Sequence, residues 1–271
     1  MSSQQFPINS LRTLRRSLKR QLVLPTCEHT PDSELAEMPE PNSLATLSNL
    51  FRKGEITHAE GSTPNVTGQW FISTVDASTA IKSLPGIALK PNYCLVTYLY
   101  RIRRAKANHG GSVTWAMTQQ SSTTANLEAA LTLAGDHNTP PYPEGALHNY
   151  MAAITGNLTP GSFVVASILQ RELQEFGRCG QFHRWHNHRL VGTVPKQQEW
   201  QWRMEQPKHL APRVHKLPSG KMAVEFYTCR IVPPIRIFRH VDRYSGNSYV
   251  AKSNDQVIAA ATPQTAKLVR H

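Results

Sequence analysis

Hydrophobic and polar positions follow two rhythms along this chain, and the rhythm changes twice. Residues 68–78 (GQWFISTVDAS) set aromatic and β-branched side chains between turn formers, which predicts a strand. Residues 93–120 (YCLVTYLYRIRRAKANHGGSVTWAMTQQ) are long enough for a hairpin. The first arm alternates, and His109-Gly110-Gly111 offers the residues a tight turn with positive φ would use. That turn crowds Arg101, Arg103, Arg104 and Lys106 at the tip. Arg101 and Arg103 would share one strand face, Arg104 and Lys106 the other. The period then lengthens. A short helix is predicted at 43–51, ahead of these strands, and three more follow them, at 123–135, 143–156 and 159–177. The first of the three opens on a Thr cap, and the last stops at Gly177. After Gly177 alternation returns in 199–205, 221–232, 235–241 and 248–261. Ser219-Gly220 and Ser245-Gly246-Asn247 suit the turns, and Pro233-Pro234 separates two strands. The order β, then α, then β predicts an α+β fold with mainly antiparallel sheet and a central group of about three helices.

The N-terminus reads differently. Leu11, Leu14, Leu18 and Leu22 fall at spacings of three and four, one face of a helix, while Arg12, Arg15, Arg16, Lys19 and Arg20 occupy the rest. A basic amphipathic helix suits an anionic membrane surface, nucleic acid or an acidic partner, a nuclear address, or its own domain. Pro25 ends it, and an acidic, proline-punctuated stretch follows over 27–42. Residues 1–44 are therefore expected to form a flexible arm ahead of a single α+β domain over 45–271.

Charge sharpens this picture. Residues 171–271 hold seventeen Lys and Arg against seven Asp and Glu, so nearly all of the net +12 lies in the C-terminal third. Such a field attracts phosphate-rich partners or anionic head groups. No apolar run reaches the length of a membrane span, and the first residues carry no apolar stretch typical of a secretory signal. The four cysteines (27, 94, 179, 229) are scattered and form no CxxC, which fits a reducing compartment. The expected location is cytoplasmic or nuclear.

The densest chemistry lies in GRCGQFHRWHNHRLVG, residues 177–192. As a binding surface, Arg178, Arg184 and Arg189 would contact phosphates while Trp185, Phe182 and the histidines stack on bases. The alternative is that Trp185, Phe182, Trp200 and Trp202 are core residues with arginines at the rim. As a metal site, the ligands would be drawn from Cys179, His183, His186 and His188, with Cys229 available to complete a set of four, although this spacing matches no standard zinc module. His186-Asn187-His188 with Tyr249-Val250-Ala251-Lys252 downstream also resembles the paired-histidine and YxxK motifs of the HUH nickases. The resemblance covers only those two motifs. It implies a divalent metal on His186 and His188 and a nucleophilic Tyr249. The chain departs from it at Asn187, where the family has a hydrophobic residue, and at Tyr249, which reads as turn or strand rather than helix. No P-loop, GxGxxG or GxSxG is present.

The leading expectation is a non-enzymatic nucleic-acid-binding protein, RNA ahead of DNA, with no cofactor. It would use Arg178, Arg184, Trp185 and Arg189 together with Arg101, Arg103 and Arg104. A basic arm ahead of an α+β domain is also the layout of a viral matrix or nucleocapsid-like protein that binds RNA, membrane and itself. The HUH-type nickase is the third reading.

Overall fold

In a computed structural model of the chain, residues 2–25, 28, 69–104, 107–196 and 199–262 are described. In chain order they form β1 (Ser2–Gln5), α1 (Ile8–Gln21), β2 (Gln69–Ile72), α2 (Thr79–Lys82), β3 (Ile87–Leu89), β4 (Tyr93–Arg104), β5 (Ala107–Thr118), α3 (Thr124–Thr132), β6 (Ile154–Gly156) and α4 (Pro160–Glu175). Then follow β7 (His188–Leu190), β8 (Trp200–Trp202), β9 (Arg213–Lys216), β10 (Met222–Arg230), β11 (Arg236–Tyr244) and β12 (Ala251–Ala261). The fold is α+β, every strand pairing is antiparallel, and the described residues hold four helices. None of these helices is long and apolar enough to cross a membrane. Instead of dividing near residue 45, the chain gathers into two compact units. The first takes residues 1–13, 187–246 and 251–271, and the second takes 14–186 and 247–250.

The first unit is built on a seven-stranded sheet in the order β1-β9-β10-β11-β12-β8, with β7 also pairing to β10. Long β-branched and aromatic runs in β10 and β11 explain why these two strands sit in the middle. β10 is buried along almost its whole length. Gly220 and Gly246 both take positive φ (75° and 98°), as the predicted turns require. Val191, Leu210, Tyr227, Cys229, Ile237 and Ile258 form an apolar cluster on one end of the sheet, with Trp200 and Trp202 packed against it. β12 meets β8 only over Ala259–Ala261, and its Lys252–Gln256 stretch is exposed and polar, a composition that discourages edge-to-edge association.

The second unit contains the β2-β4-β5 sheet, the β3-β6 pair and the helix α4. Thr159 caps α4 by accepting from Ser162 N, and Gly177 at φ 79° lets the chain leave it. Apart from its first two residues and Gln174, α4 is buried all round, including Gln170, Arg171, Glu172 and Glu175. A helix buried on every side is a core element, and polar groups on it must find partners. α3 packs Leu127 and Ala130 against Val96, Tyr98 and Met117 of the hairpin.

Several expectations fail for identifiable reasons. The stretch 143–156 is not a helix. A 3-10 turn spans Tyr150–Ala153 and is followed directly by β6, which pairs with β3. Gly145 at φ 74° ends any helical start, and pairing with β3 claims the backbone of 154–156. In the hairpin, Arg104 pairs with Ala107, so His109-Gly110-Gly111 lies within β5 rather than in the turn. Gly110 is required by close approach instead: a Cβ there would stand 2.4 Å from Tyr100 O and 2.6 Å from Arg101 Nη1.

The expected flexible arm is, over residues 2–25, part of the fold. β1 pairs with β9, and Arg12 donates to Leu190 O at 3.0 Å. Leu11, Arg15 and Leu18, at i, i+4 and i+7, are the buried positions of α1. Each buried leucine contributes about 1.5–3 kcal/mol, so half of the apolar face expected to meet a membrane is committed to the fold, while Leu14 and Leu22 are half-buried. The buried face departs from the expected one at Arg15, a cation that is buried while Leu14 is only half-buried. It is matched by Glu172, whose Oε1 lies 2.5 Å from Arg15 Nε, both side chains being nearly inaccessible. The helix expected at 43–51 lies outside the described residues.

Candidate nucleic-acid interface

The sequence-selected residues divide into buried anchors and exposed cations. Trp185 is buried, with Arg15 and Arg171 guanidinium groups against its ring at 4.6 and 5.7 Å and its Nε1 donating to Glu172 Oε1. It is a core residue whose faces are already taken, so it offers no stacking platform. Arg101 is 1 % exposed. It donates from Nε to Glu28 O at 2.8 Å and from Nη1 to Tyr100 O and Gly111 O. Burial lowers its pKa while Cys179 and Glu28 oppose that shift. Arg101 therefore ties the hairpin to residue 28 and cannot reach a phosphate. Arg103 and Arg104 lie on β4, paired with Asn108 and Ala107. Arg184 and Arg189 are exposed, and Arg178 is half-buried.

The histidines separate in the same way. His188 is buried in a line of polar atoms on the first unit. Its Nδ1 lies 2.8 Å from Thr228 Oγ1, Thr228 Oγ1 lies 2.7 Å from His240 Nε2, and His240 Nδ1 lies 2.8 Å from Asp255 Oδ1. Antiparallel register puts Thr228 beside Phe238, and His240 beside both Phe226 and Asp255, on one sheet face. Thr228 is inaccessible, so this line braces the sheet rather than presenting a nucleophile. His186, by contrast, is exposed, stacked on His183 at a ring distance of 4.4 Å. Tyr249 is buried: its hydroxyl donates to Ser162 Oγ at 2.8 Å and accepts from Leu158 N at 2.9 Å. The three residues that the nickase resemblance would join thus serve three different local structures.

His183, His186 and Cys179 line a pocket of about 350 Å³ on the second unit, together with Lys19, Arg101 and Arg178. Burial pushes the Cys179 thiol pKa up, and Arg101 pulls it back only in part. A raised thiol is a poor nucleophile and a reluctant metal ligand. Burial likewise raises the Cys229 thiol.

A second cationic surface, outside the site residues expected above, lies on the sheet of the first unit. Register places Arg213 opposite Glu225, His215 opposite Ala223, Arg239 opposite Tyr227, and Arg243 between Ala223 and Lys252, all on the same face. Glu225 sits at the centre. Tyr227 donates its hydroxyl to Glu225 Oε1, Arg239 Nη2 donates to Oε2 at 3.0 Å, and His215 Nε2 lies 3.7 Å from Oε2. Arg213 Nε lies 4.0 Å from Oε1, and the Nε atoms of Arg213 and Arg239 are buried with no hydrogen-bond partner. Burial alone would push the Glu225 carboxyl up. The hydrogen bonds from Tyr227 and Arg239, with the charges of Arg239 and Arg213, outweigh it and hold the carboxyl below the ordinary range. The Tyr227 hydroxyl is pushed up to about 12 by burial and by Glu225. One carboxylate thus organises a face that also carries Arg213, His215, Arg239, Arg243 and Lys252, and it leaves that face with excess positive charge.

No protein-family model, curated protein or solved structure matches this chain.

Proposed function

We propose that this protein binds nucleic acid without catalysing a reaction on it, and that the basic face of β9-β10-β11-β12 is the contact surface. The observation that carries the reading is the segregation of charge. By sequence the first unit holds fifteen Lys and Arg against five Asp and Glu, a net +10, whereas the second holds fifteen against thirteen. On the basic face, arginines preoriented by Glu225 offer forked donors that match phosphate oxygens. Arg243 and Lys252 are exposed and extend the track to the β12 edge. An extended strand face suits a single-stranded RNA backbone laid across it, with His215, half-buried at its β9 side, as a flat neighbour.

The test is fluorescence anisotropy with a labelled single-stranded RNA over a range of salt concentrations. Affinity should fall steeply with salt, with a slope of about −0.7 per phosphate contact. Replacing both Arg243 and Lys252 by alanine should reduce the magnitude of that slope by about 1.4. Binding independent of salt, or a double variant indistinguishable from the parent, would remove the reading.

A further inference from the structure

Among the described residues, one group of three metal-ligating side chains comes together, and it is not the set the sequence suggested. Glu175, His183 and His186 place their nearest ligand atoms within 4.8 Å of one another. Cys179, His188 and Cys229 do not belong to it. Adjacent ligands on an ion with bonds of 2.0–2.2 Å stand about 3.0–3.6 Å apart, so a small turn of the two imidazoles closes the set on one ion.

The carboxylate is held in place for such a role. Glu175 is buried, and its Oε2 accepts from Arg184 N at 3.1 Å and Trp185 N at 2.9 Å. Its Oε1 accepts from His186 N at 2.9 Å and stands 2.9 Å from His183 Nδ1. Three backbone donors therefore fix the carboxylate and wrap residues 183–186 around it, so both imidazoles hang from a turn the carboxylate itself organises. Such support is what outer hydrogen bonds give the ligands of a metal centre. Position adds an independent reason: Glu175 is the last residue of the sixteen-residue helix α4. The partial negative charge at a helix C-terminus favours a cation there. The three side chains also line the pocket of about 350 Å³ that Leu22, Leu24 and Phe176 share, so ion and solvent can reach them.

We propose that Glu175, His183 and His186 form a binding site for a divalent ion of the zinc type, with three protein ligands and its remaining coordination position open to the pocket. Two imidazoles and a carboxylate are the donor set of open zinc centres, whereas closed structural sites take four protein ligands. Arg178 and Lys19 on the pocket wall suit an anion at the open position. This site is independent of the nucleic-acid reading.

The test uses the full chain without an affinity tag, stripped with a chelator and titrated with zinc chloride by calorimetry at pH 7.5. Cobalt replaces zinc in a parallel absorption experiment. The expected result is one equivalent of tight uptake and visible cobalt bands. His183→Ala and His186→Ala should each weaken uptake at least tenfold, and the affinity should fall on acidification because protons compete with the ion for the imidazole nitrogens. His209→Ala, on an exposed loop, should change nothing. Because the His186 side chain is exposed, His186→Asn keeps the fold and carries the test should His183→Ala misfold. No stoichiometric uptake, or uptake unaltered in the His186 variants, would overturn the proposal.

Discussion

The two compact units carry equal numbers of Lys and Arg by sequence and use them in opposite ways. In the second unit Arg15, Arg101 and Arg171 are turned inward, while Arg16, Arg20 and Arg184 are exposed. Arg15 meets Glu172 and lies over Trp185, and Arg101 donates to three backbone carbonyls, two of them near the turn end of the hairpin. In the first unit the buried carboxylate of Glu225 faces Arg213, Arg239 and His215, with Arg243 and Lys252 beyond them on the same face. A buried cation is costly without partners and becomes structural once it has them. An exposed excess of cations adds little to stability but creates a field for anions. Net charge alone therefore does not locate function. The arginines with the densest hydrogen bonding are those least able to bind anything else.

The contrast predicts where mutations hurt folding and where they hurt binding. The largest expected effect is in the second unit. Glu172→Gln removes the carboxylate charge that the buried Arg15 meets at 2.5 Å, and should cost about 3–5 kcal/mol in denaturant unfolding. RNA affinity should stay at the parental level wherever the variant is folded. An equal loss of affinity would show that the binding surface extends into the second unit. Gly110→Ala comes next. Its new methyl meets Tyr100 O and Arg101 Nη1, an overpacking that should cost about 1–3 kcal/mol by the same measurement.

Acid should act on the first unit through Glu225. Its carboxyl pKa is lower folded than unfolded. The stability it supplies is complete above about pH 4.3, the unperturbed value. It is lost as pH falls from there towards the lowered folded value. Thermal melts between pH 5 and pH 2.5 should show this loss, and Glu225→Gln should flatten it. A profile unchanged by that substitution would show that other carboxylates govern acid unfolding. The smallest stability effect belongs to Arg243→Ala and Lys252→Ala, each within about 0.5 kcal/mol, although together they should weaken RNA binding measurably. If they destabilise as much as Glu172→Gln, the division between inward and outward cations is wrong.

Local patterns were enough for elements whose cause is local. Alternation in 221–232 and 235–241 placed β10 and β11, and a helical pattern that stops at Gly177 placed α4 to within a residue or two. The 3.6 period of 11–22 found α1. The turn of the long hairpin escaped because glycine answers two needs, positive φ and close approach, and Gly110 answers the second. The 143–156 segment escaped because β3, more than sixty residues away in the chain, decides its last three residues.

The candidate surface was legible only in part. The basic C-terminal third, the cationic character of 171–271 and the α+β class belong to the sequence itself, since composition and short-range periodicity do not depend on how strands are ordered. Which arginines are exposed does. Arg101 and Arg243 are the same residue on similar alternating strands, yet one is sealed by Glu28 and the hairpin backbone while the other faces solvent. Likewise Arg213, Glu225 and Arg239 become neighbours only through the β9-β10-β11 register, across separations of twelve and fourteen residues. Register is settled by which faces bury apolar side chains against the rest of the unit, and that is a property of the assembled sheet rather than of any one strand.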